Sequence, residues 1–434
     1  MNPRVGRDCS PDVFPSVVAC TLAYFRRFTW RTTFRRQLAG RTVIFRQLLA
    51  NELPQQNSKD FGLKLKAICP IGIDIGSHNI YAAQLKKNRQ DLVIRGFVHR
   101  ECEGATQAIF NGTDGLISVL KEIVKDKRFR GRRVVVHFPS QYIISFPIIF
   151  EVHGEETIEQ AILKKSKDYI NFPLEEAIID YPSLTPISSV DAGKYRAIIN
   201  AVRRDHMRQY LLMLKKAGLT VEAVDSGISS LIRLHSHTYK SIQHPTILCN
   251  IGSGQSLLSV VTRDTILVQR HVPWGVQMLL RNLQANLELL EDKAKAGVLL
   301  KKYGLVYGDC LECNGSVNPD GRVVELEDNK DMYRAIYQIV NPHIEELVHE
   351  FHKVIGYARS EEHGESFEGI YIYGQGTTIH RLDRYLERRL NVPAKLMNPL
   401  SRMNLSDHSI LADVSEGSRF GLALGLAMRK VTWL

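Results

Sequence analysis

Several features that would assign this 434-residue chain to a common class of enzyme or membrane protein are missing from it. Its longest apolar runs fall short of a membrane span, which needs about 20 consecutive, mostly apolar residues. It has no Gly-x4-Gly-Lys-Ser/Thr loop, which excludes a P-loop nucleotide enzyme. It also lacks a Gly-x-Ser-x-Gly elbow, and its 15 histidines are dispersed, so a serine hydrolase of the elbow type is not supported.

Cysteine is scarce and scattered. The chain has seven cysteines, and Cys310 and Cys313 form the one close pair. A second pair at metal-binding spacing is lacking, so the sequence predicts neither a zinc site nor a disulfide framework. This usage is typical of a protein kept in a reducing compartment.

The net charge of +11 is concentrated near the N-terminus. Residues 1–58 hold nine arginines, no lysine and three acids, which gives +6, so the remaining 376 residues carry only +5. Nucleic acid is therefore not expected as a partner. We predict that residues 1–65 form a basic leader that is disordered or foreign to the natural protein. The alternative is a targeting peptide or a helix lying on a membrane surface, because the arginines are interleaved with aromatic residues.

The most informative stretch is Ile71–Leu85. Isoleucines alternate there as in a buried strand, a tight turn follows at 76–79, and a second strand returns to Leu85. A Gly-Ser turn of this kind exposes several backbone N–H groups together, which suits phosphate oxygens. Asp74, at the end of the first strand, would lie beside such an anion and hold Mg²⁺ through water. A single glycine-containing hairpin is more often purely structural.

A second copy of this pattern begins at Thr246. An apolar strand carries Asn250 in the position of Asp74 and is followed by Ile-Gly-Ser and another strand. Because each copy opens half of the chain, the pair predicts a duplicated α/β fold with a ligand between the halves. Together with Tyr-Gly-Gln-Gly at 373–376, the two turns resemble the three nucleotide-binding segments of the actin-like ATPase superfamily.

Four longer segments narrow this resemblance. In chain order they are GIDIGSHNIYAAQL, YINFPLEEAIIDY, YLLMLKKAGLTVEAVD and GQGTTIHRLDRYLERRLNVPAKLMNPL. They resemble the type IV pilus assembly protein PilM family, actin-like relatives of the division protein FtsA. The resemblance covers residues 66–434 and implies a duplicated actin-like (ribonuclease-H-like) two-lobed α/β fold with an FtsA-type inserted subdomain.

The resemblance also implies the domain boundaries. The first lobe comprises residues 66–144 and 203–244 together with a C-terminal helix at 417–434, and the inserted subdomain comprises residues 145–202. The second lobe comprises residues 245–416 and includes a smaller subdomain at about 276–330.

A nucleotide site follows from the same resemblance. Its first phosphate segment, second phosphate segment and adenosine segment contain, in that order, Asp74, Gly76, Ser77 and Asn79; Asn250, Gly252, Ser253 and Gly254; and Gly374, Gln375 and Gly376. The implied ligand is ATP or ADP with Mg²⁺.

Four positions depart from the family pattern. Tyr81 stands where a lysine usually follows the first turn, and Asn250 stands where an acid is usual. Gln375 lies in the middle of the glycine run, where its side chain would crowd the base, and Gly297 lies where an acid usually meets the ribose. These changes remove charge from around the phosphates and the metal. We therefore expect nucleotide to bind weakly or not at all, and hydrolysis to be negligible.

The resemblance implies a cytoplasmic scaffold of a type IV pilus or related assembly apparatus. Such a protein binds the N-terminal peptide of a PilN-like inner-membrane protein, contacts other pilus or secretion components, and reaches the membrane only through its partner. The resemblance does not determine whether the protein forms homo-oligomers. We expect the peptide to dock between the inserted subdomain and the first lobe. The alternative is an active ATPase or a small-molecule kinase on the same fold, which would need a carboxylate base at the cleft and intact phosphate turns.

Overall fold

A computed structural model describes residues 68–88, 91–111, 114–187, 193–239, 242–288, 293–306, 330–361, 366–405 and 414–430. The leader predicted at 1–65 lies outside these residues, as do the end of the smaller subdomain predicted at about 276–330 and the last residues of the C-terminal helix predicted at 417–434.

The strands are, in chain order, β1 (Ile68–Ile75), β2 (Asn79–Asn88), β3 (Asp91–Glu101), β4 (Arg133–His137), β5 (Ile144–Glu151), β6 (Ala177–Pro186), β7 (Lys194–Arg203), β8 (Thr220–Asp225), β9 (Thr246–Ile251), β10 (Ser256–Val261), β11 (Ile266–Val272), β12 (Gly369–Gly374), β13 (Ala394–Leu396) and β14 (Asn404–Leu405).

The α-helices are α1 (Ala105–Asn111), α2 (Asp114–Lys125), α3 (Ile158–Ser166), α4 (Arg204–Lys216), α5 (Gly227–Thr238), α6 (Val276–Asn286), α7 (Lys293–Lys302), α8 (Lys330–Glu361), α9 (Leu382–Leu390), α10 (Val414–Arg419) and α11 (Gly421–Ala427). Within the described ranges, no helix combines the length and the apolar character that crossing a bilayer requires.

Two large sheets share one connectivity. The strand order is β14-β3-β2-β1-β4-β8 in the first sheet and β11-β10-β9-β12-β13 in the second. In each sheet three antiparallel strands follow one another along the chain, a later strand pairs in parallel with the first of them, and another pairs in parallel with that one. The first sheet has a further strand, β14, which pairs in parallel with β3 at the other edge. The two Ile-Gly-Ser turns therefore lie at equivalent places, at the ends of β1 and β9.

The C-terminal helices cover one face of the first sheet. A Cβ atom on Gly72 of β1 would lie 1.9 Å from the carbonyl oxygen of Ala423, so only glycine allows α11 to approach this closely. The sequence predicts one helix from residue 417, but the structure has two, which meet at Phe420. At this break the Phe420 ring packs edge-on against Tyr81 and Phe97.

The inserted segment forms a third, three-stranded sheet in the order β5-β7-β6, with α3 on one face. Alternate side chains of its central strand β7 point to opposite sides. Ala197, Ile199 and Ala201 enter the core that this sheet shares with α3. On the opposite side, Ile198 and Val202 enter the cores of the two-lobed body, so β7 joins the insert to the rest of the molecule.

The inserted sheet also contacts the second lobe. Three polar links connect them: Ser183 Oγ to Thr265 Oγ1 at 2.7 Å, Gln269 Nε2 to Asn200 Oδ1 at 3.2 Å, and an ion pair of Arg196 with Glu361. The first two links reach β11, the edge strand of the second sheet, or the residue just before it. The sequence predicts a contact with the first lobe and does not reveal which elements the polar residues of β6 and β7 meet.

Candidate functional site

The two Gly-Ser turns have the same hydrogen-bonded geometry. The Gly76 N–H donates to the Asn79 carbonyl at 2.9 Å, and the Gly252 N–H donates to the Gln255 carbonyl at 3.0 Å. A Cβ atom at position 76 or 252 would lie 3.0 or 2.5 Å from the same carbonyl oxygen. Each turn therefore favours glycine for close approach of its own backbone, and the sequence repeat reflects one repeated turn.

The turns face each other across the gap between the lobes. A Cβ atom on Gly254 would lie 2.6 Å from Ser77 Oγ, and Gln255 Nε2 donates to Gln141 Oε1 at 3.4 Å. The gap is therefore narrow where the two phosphate segments meet.

The third segment runs from Gly374 into a short 3₁₀ helix at Gln375–Thr378. Gly374 has φ of 82°, and a Cβ there would lie 2.6 Å from Asn250 Oδ1. Gln375 Nε2 donates to the Tyr81 hydroxyl at 3.0 Å, which links the second lobe to the first.

These segments surround a cleft with an empty volume of about 640 Å³, open solvent included. Ten of the eleven residues assigned from sequence line the cleft. The exception is Gly376, which is buried with its α-carbon against Ile251. Lining residues that the sequence reasoning missed include Thr106, His137, Ser140, Gln141, Gln255 and Arg419.

At the base of the cleft, Asp74 is bound to a histidine. His137 Nε2 donates to Asp74 Oδ1 at 2.6 Å, and the two side chains are only 9% and 13% exposed. The pair follows from register, because β1 and β4 are parallel with Ile73 opposite Val136, and the next residues are Asp74 and His137. The Tyr210 hydroxyl donates to the His137 carbonyl at 2.9 Å and fixes this end of β4.

Both ring nitrogens of His137 face acceptors. Nε2 meets the Asp74 carboxylate, and Nδ1 lies 3.0 Å from the Phe138 carbonyl oxygen, so each nitrogen must carry a proton to make its hydrogen bond. Burial lowers the pKa of His137, but the hydrogen bond and charge of Asp74, with the Phe138 carbonyl, outweigh it and raise the pKa above its usual value.

The family of the chain follows from comparison with known proteins. The family profile of type IV pilus assembly protein PilM matches residues 72–308 and 329–431, which together are 340 of the 434 residues. The chain belongs to the PilM family. It is also similar to a chain of a solved PilM-PilN type IV pilus biogenesis complex, with 21% sequence identity, 84% of this chain and 98% of that chain covered, and a TM-score of 0.67.

Two further solved structures are similar at lower scores. They are the ethanolamine utilization protein EutJ from Carboxydothermus hydrogenoformans, with 12% identity, 91% and 99% coverage and a TM-score of 0.47, and MreB5 of Spiroplasma citri bound to ADP, with 11% identity, 83% and 95% coverage and a TM-score of 0.44. The α/β, two-lobed actin-like fold expected from the sequence is confirmed.

In this PilM-family chain, a cation reaches the cleft from the C-terminal helices and not from position 81. Tyr81 stacks on His99 with ring centroids 4.7 Å apart, and burial raises the pKa of Tyr81 to about 12, so its hydroxyl stays neutral. Arg419, at the end of α10, lines the cleft, and its Nη1 lies 3.3 Å from the Glu416 carboxylate. The sequence predicts a C-terminal helix at 417–434 and does not identify Arg419 as a site residue.

The residues present supply one carboxylate toward the Mg²⁺ ion that the family resemblance implies. Mg²⁺ in nucleotide sites keeps several waters and is held by one or two carboxylates together with phosphate oxygens. The carboxylate among the lining residues is that of Asp74, whose Oδ1 accepts a hydrogen bond from His137 and which would hold such an ion through water. Asn250 replaces a second acid. Among the residues that the structure describes, no group of three His, Cys, Asp or Glu side chains is placed to hold a metal ion.

Proposed function

We propose that this chain is an actin-like scaffold of a type IV pilus or related assembly apparatus, which binds the N-terminal peptide of a PilN-like inner-membrane protein. Membership of the PilM family and similarity to a chain of a PilM-PilN complex support this proposal. The scaffold would lie at the cytoplasmic side of the inner membrane, held there by its partner and in contact with other components of the machinery.

The proposed docking site rests on one observation, a cluster of half-buried rings on the first lobe beside the inserted subdomain. In this aromatic cluster (Phe110, Tyr142 and His206) the Phe110 ring lies 4.5 Å from Tyr142 and 4.8 Å from His206. Rings that are large, rigid and partly exposed are common anchors of protein interfaces. The cluster therefore offers an apolar surface for side chains of a bound peptide.

The inserted subdomain supplies the other side of this junction. Arg203, three residues before His206, holds its guanidinium 5.2 Å from the centre of the Phe172 ring and pairs with Glu176 at 2.6 Å. Below the surface, Ile178 and Val202 pack into the core of the first lobe and close the floor of the junction. We place the peptide along this junction in a strip, where an extended or partly helical segment would set apolar side chains on the rings.

Truncation of Tyr142 tests this strip. We expect Tyr142→Ala to weaken binding of a synthetic peptide, made from the first residues of the PilN-like partner, by about tenfold or more, because interface aromatics commonly contribute above 1 kcal/mol. Fluorescence anisotropy with the full chain measures the dissociation constant. Val298→Ala is the matched control, since Val298 is a 62% exposed apolar side chain on α7 of the second lobe. Equal affinity of wild type, Tyr142→Ala and Phe110→Ala would place the docking site elsewhere.

The second part of the proposal concerns the cleft, which we assign to weak binding of ATP or ADP without turnover. A hydrolase or kinase needs a carboxylate base within reach of its nucleophile. Asp74 is held by His137. Two other side chains at the cleft are amides: Gln141, in the 3₁₀ helix at Ser140–Tyr142 of the first lobe, and Gln255, at the second Gly-Ser turn. We expect calorimetry to detect nucleotide and a phosphate-release assay to show no release above the protein-free rate. Rapid release of phosphate would favour the ATPase or kinase alternative.

A further inference from the structure

The contact between the inserted subdomain and the second lobe is polar. This polar seam comprises side chains of Ser145, Ser183, Thr185, Arg196 and Asn200 from the insert and of Thr265, Gln269, His271 and Glu361 from the second lobe. Besides the three links described above, the Ile266 N–H donates to Ser183 Oγ at 3.1 Å, and Gln269 Nε2 lies 3.0 Å from His271 Nε2. An amide nitrogen only donates, so His271 Nε2 accepts and the ring carries its proton on Nδ1.

Buried polar atoms on both sides of the seam have no partner. Within the described part of the chain, these unpartnered atoms are Ser145 Oγ, Thr185 Oγ1, Arg196 Nε, Gln269 Oε1 and His271 Nδ1. The strand register places those of the insert on the seam side, because Ser145 lies opposite Asn200 and Thr185 lies opposite Arg196. In a closed interface such an atom loses its hydration and gains no hydrogen bond in exchange. Opening the seam returns each of these atoms to water.

The apolar contact that resists opening is smaller than this cost. Between Arg196 and Asn200, β7 places one apolar side chain, Ile198, in the core that the two lobes share. Ile149 lies opposite Arg196 and is 41% exposed, so solvent reaches that end of the seam. Burial of one aliphatic side chain stabilises by about as much as one unpartnered buried polar group costs. The five unpartnered atoms therefore outweigh Ile198.

The insert is attached to the first lobe in the opposite manner. Ile178 and Val202 are each 3% exposed and lie in the core of the first lobe. Separating them from that core would expose apolar surface to water and would satisfy no buried polar group. The insert therefore holds more firmly to the first lobe than to the second.

We infer that the polar seam is a separable joint, which opens in the native protein while both lobes stay folded and the insert stays on the first lobe. Opening at this joint lets the second lobe change its orientation relative to the insert. The inference does not depend on the peptide site or the nucleotide site proposed above, because it rests on contacts at neither.

The amide of Ile266 reports opening in the unmodified protein, since its acceptor is a side chain across the seam. Hydrogen exchange of the full chain, resolved by residue with mass spectrometry, compares it with the amide of Cys249 in β9, the central strand of the second sheet. We expect Ile266 to exchange about a hundredfold faster or more, with little dependence on low concentrations of urea, because the opening is local. Equal protection of the two amides would overturn the inference.

Variants of the unpartnered hydroxyls separate opening of the seam from fraying of the turn between β10 and β11. Thr185→Val removes one such hydroxyl at almost constant shape and so makes the closed seam less costly. We expect it to slow Ile266 exchange by about fivefold or more, whereas Thr185→Ser keeps the hydroxyl and should leave the rate unchanged. Ser145→Ala, on another strand of the insert, should act in the same direction as Thr185→Val. Exchange that is the same in all three variants would assign it to the turn and contradict the joint.

A thiol at position 202 tests the attachment to the first lobe. We expect Val202→Cys to react with N-ethylmaleimide as slowly as the native Cys249, which is fully buried in the core of the second lobe, because both thiols require global unfolding. Peptide mapping by mass spectrometry measures the two rates in one sample. Reaction of Val202→Cys at the rate of seam opening would show that the insert leaves both lobes, which refutes the inference.

Discussion

Alanine at position 425 is expected to destabilise the protein by about 3 kcal/mol or more, although alanine is a better helix former than glycine. Gly425 lies in α11, and a Cβ atom there would be 2.2 Å from the carbonyl oxygen of Ser230 in α5. The obstacle is backbone, so no side-chain rotation relieves it. Arg233 Nε also donates to the Gly425 carbonyl at 3.2 Å, which fixes the two helices further.

Gly356 provides the matched control, because the methyl group added by the same substitution there would contact no neighbouring residue. It lies in α8, and outside its own helix no heavy atom lies within 4 Å of the position that a Cβ atom would occupy. Gly356→Ala should therefore stabilise the protein by about 0.5–1 kcal/mol through helix propensity. Urea unfolding followed by circular dichroism gives both midpoints. A Gly425→Ala midpoint equal to that of wild type would mean that α11 does not sit on α5 as described.

Asparagine at position 180 is expected to make the protein more stable than wild type at pH 8 and equally stable at pH 4. Burial raises the pKa of Asp180 to about 7, and the charge of Asp225 adds to the effect, which the Tyr181 backbone and Arg429 only partly oppose. The native state therefore binds a proton that the unfolded chain releases near its ordinary value of 3.8. By linkage, the contribution of this group to stability falls as pH rises from about 4 to about 7.

The size of the effect follows from the same shift. At pH 8 the buried carboxylate is ionised. A difference of about three pKa units between the native and the unfolded state corresponds to a destabilisation of about 4 kcal/mol. Asp180→Asn removes at most this amount. The measurement is the urea midpoint of variant and wild type at pH 4, 6 and 8. Asp264→Asn, in the exposed turn between β10 and β11, should show no such trend. A variant less stable than wild type at pH 8 would mean that a partner stabilises the charged carboxylate.

The fold could be predicted from the sequence because the residues that specify each turn are neighbours in the chain. Each Gly-Ser turn is specified by neighbouring residues, with Gly76 and Gly252 making the same backbone hydrogen bond to the residue three positions further on. A turn of this kind appears in the sequence as a short contiguous motif, and two copies of the motif predict two similar sheets. The α/β class and the two-lobed architecture follow from that repeat.

The charges of the cleft could not be predicted in the same way. Asp74 and His137 lie on different strands, 63 residues apart, and only the parallel register of β1 with β4 brings them together. Arg419 enters from the C-terminal helices, and nothing in their sequence indicates that they reach the cleft. The break between α10 and α11 was missed for a related reason, since Phe420 is held by Tyr81 and Phe97 of the first sheet.

The close seating of α11 on β1 determines the order in which the protein can be completed during synthesis. β1 leaves the ribosome early, but the helix that covers Gly72 is made only after the whole second lobe. Domains generally fold as they emerge, N-terminal parts first. One face of the central strand of the first lobe therefore stays uncovered until the second lobe has been translated. Arrival of residues 421–427 is the step that closes it.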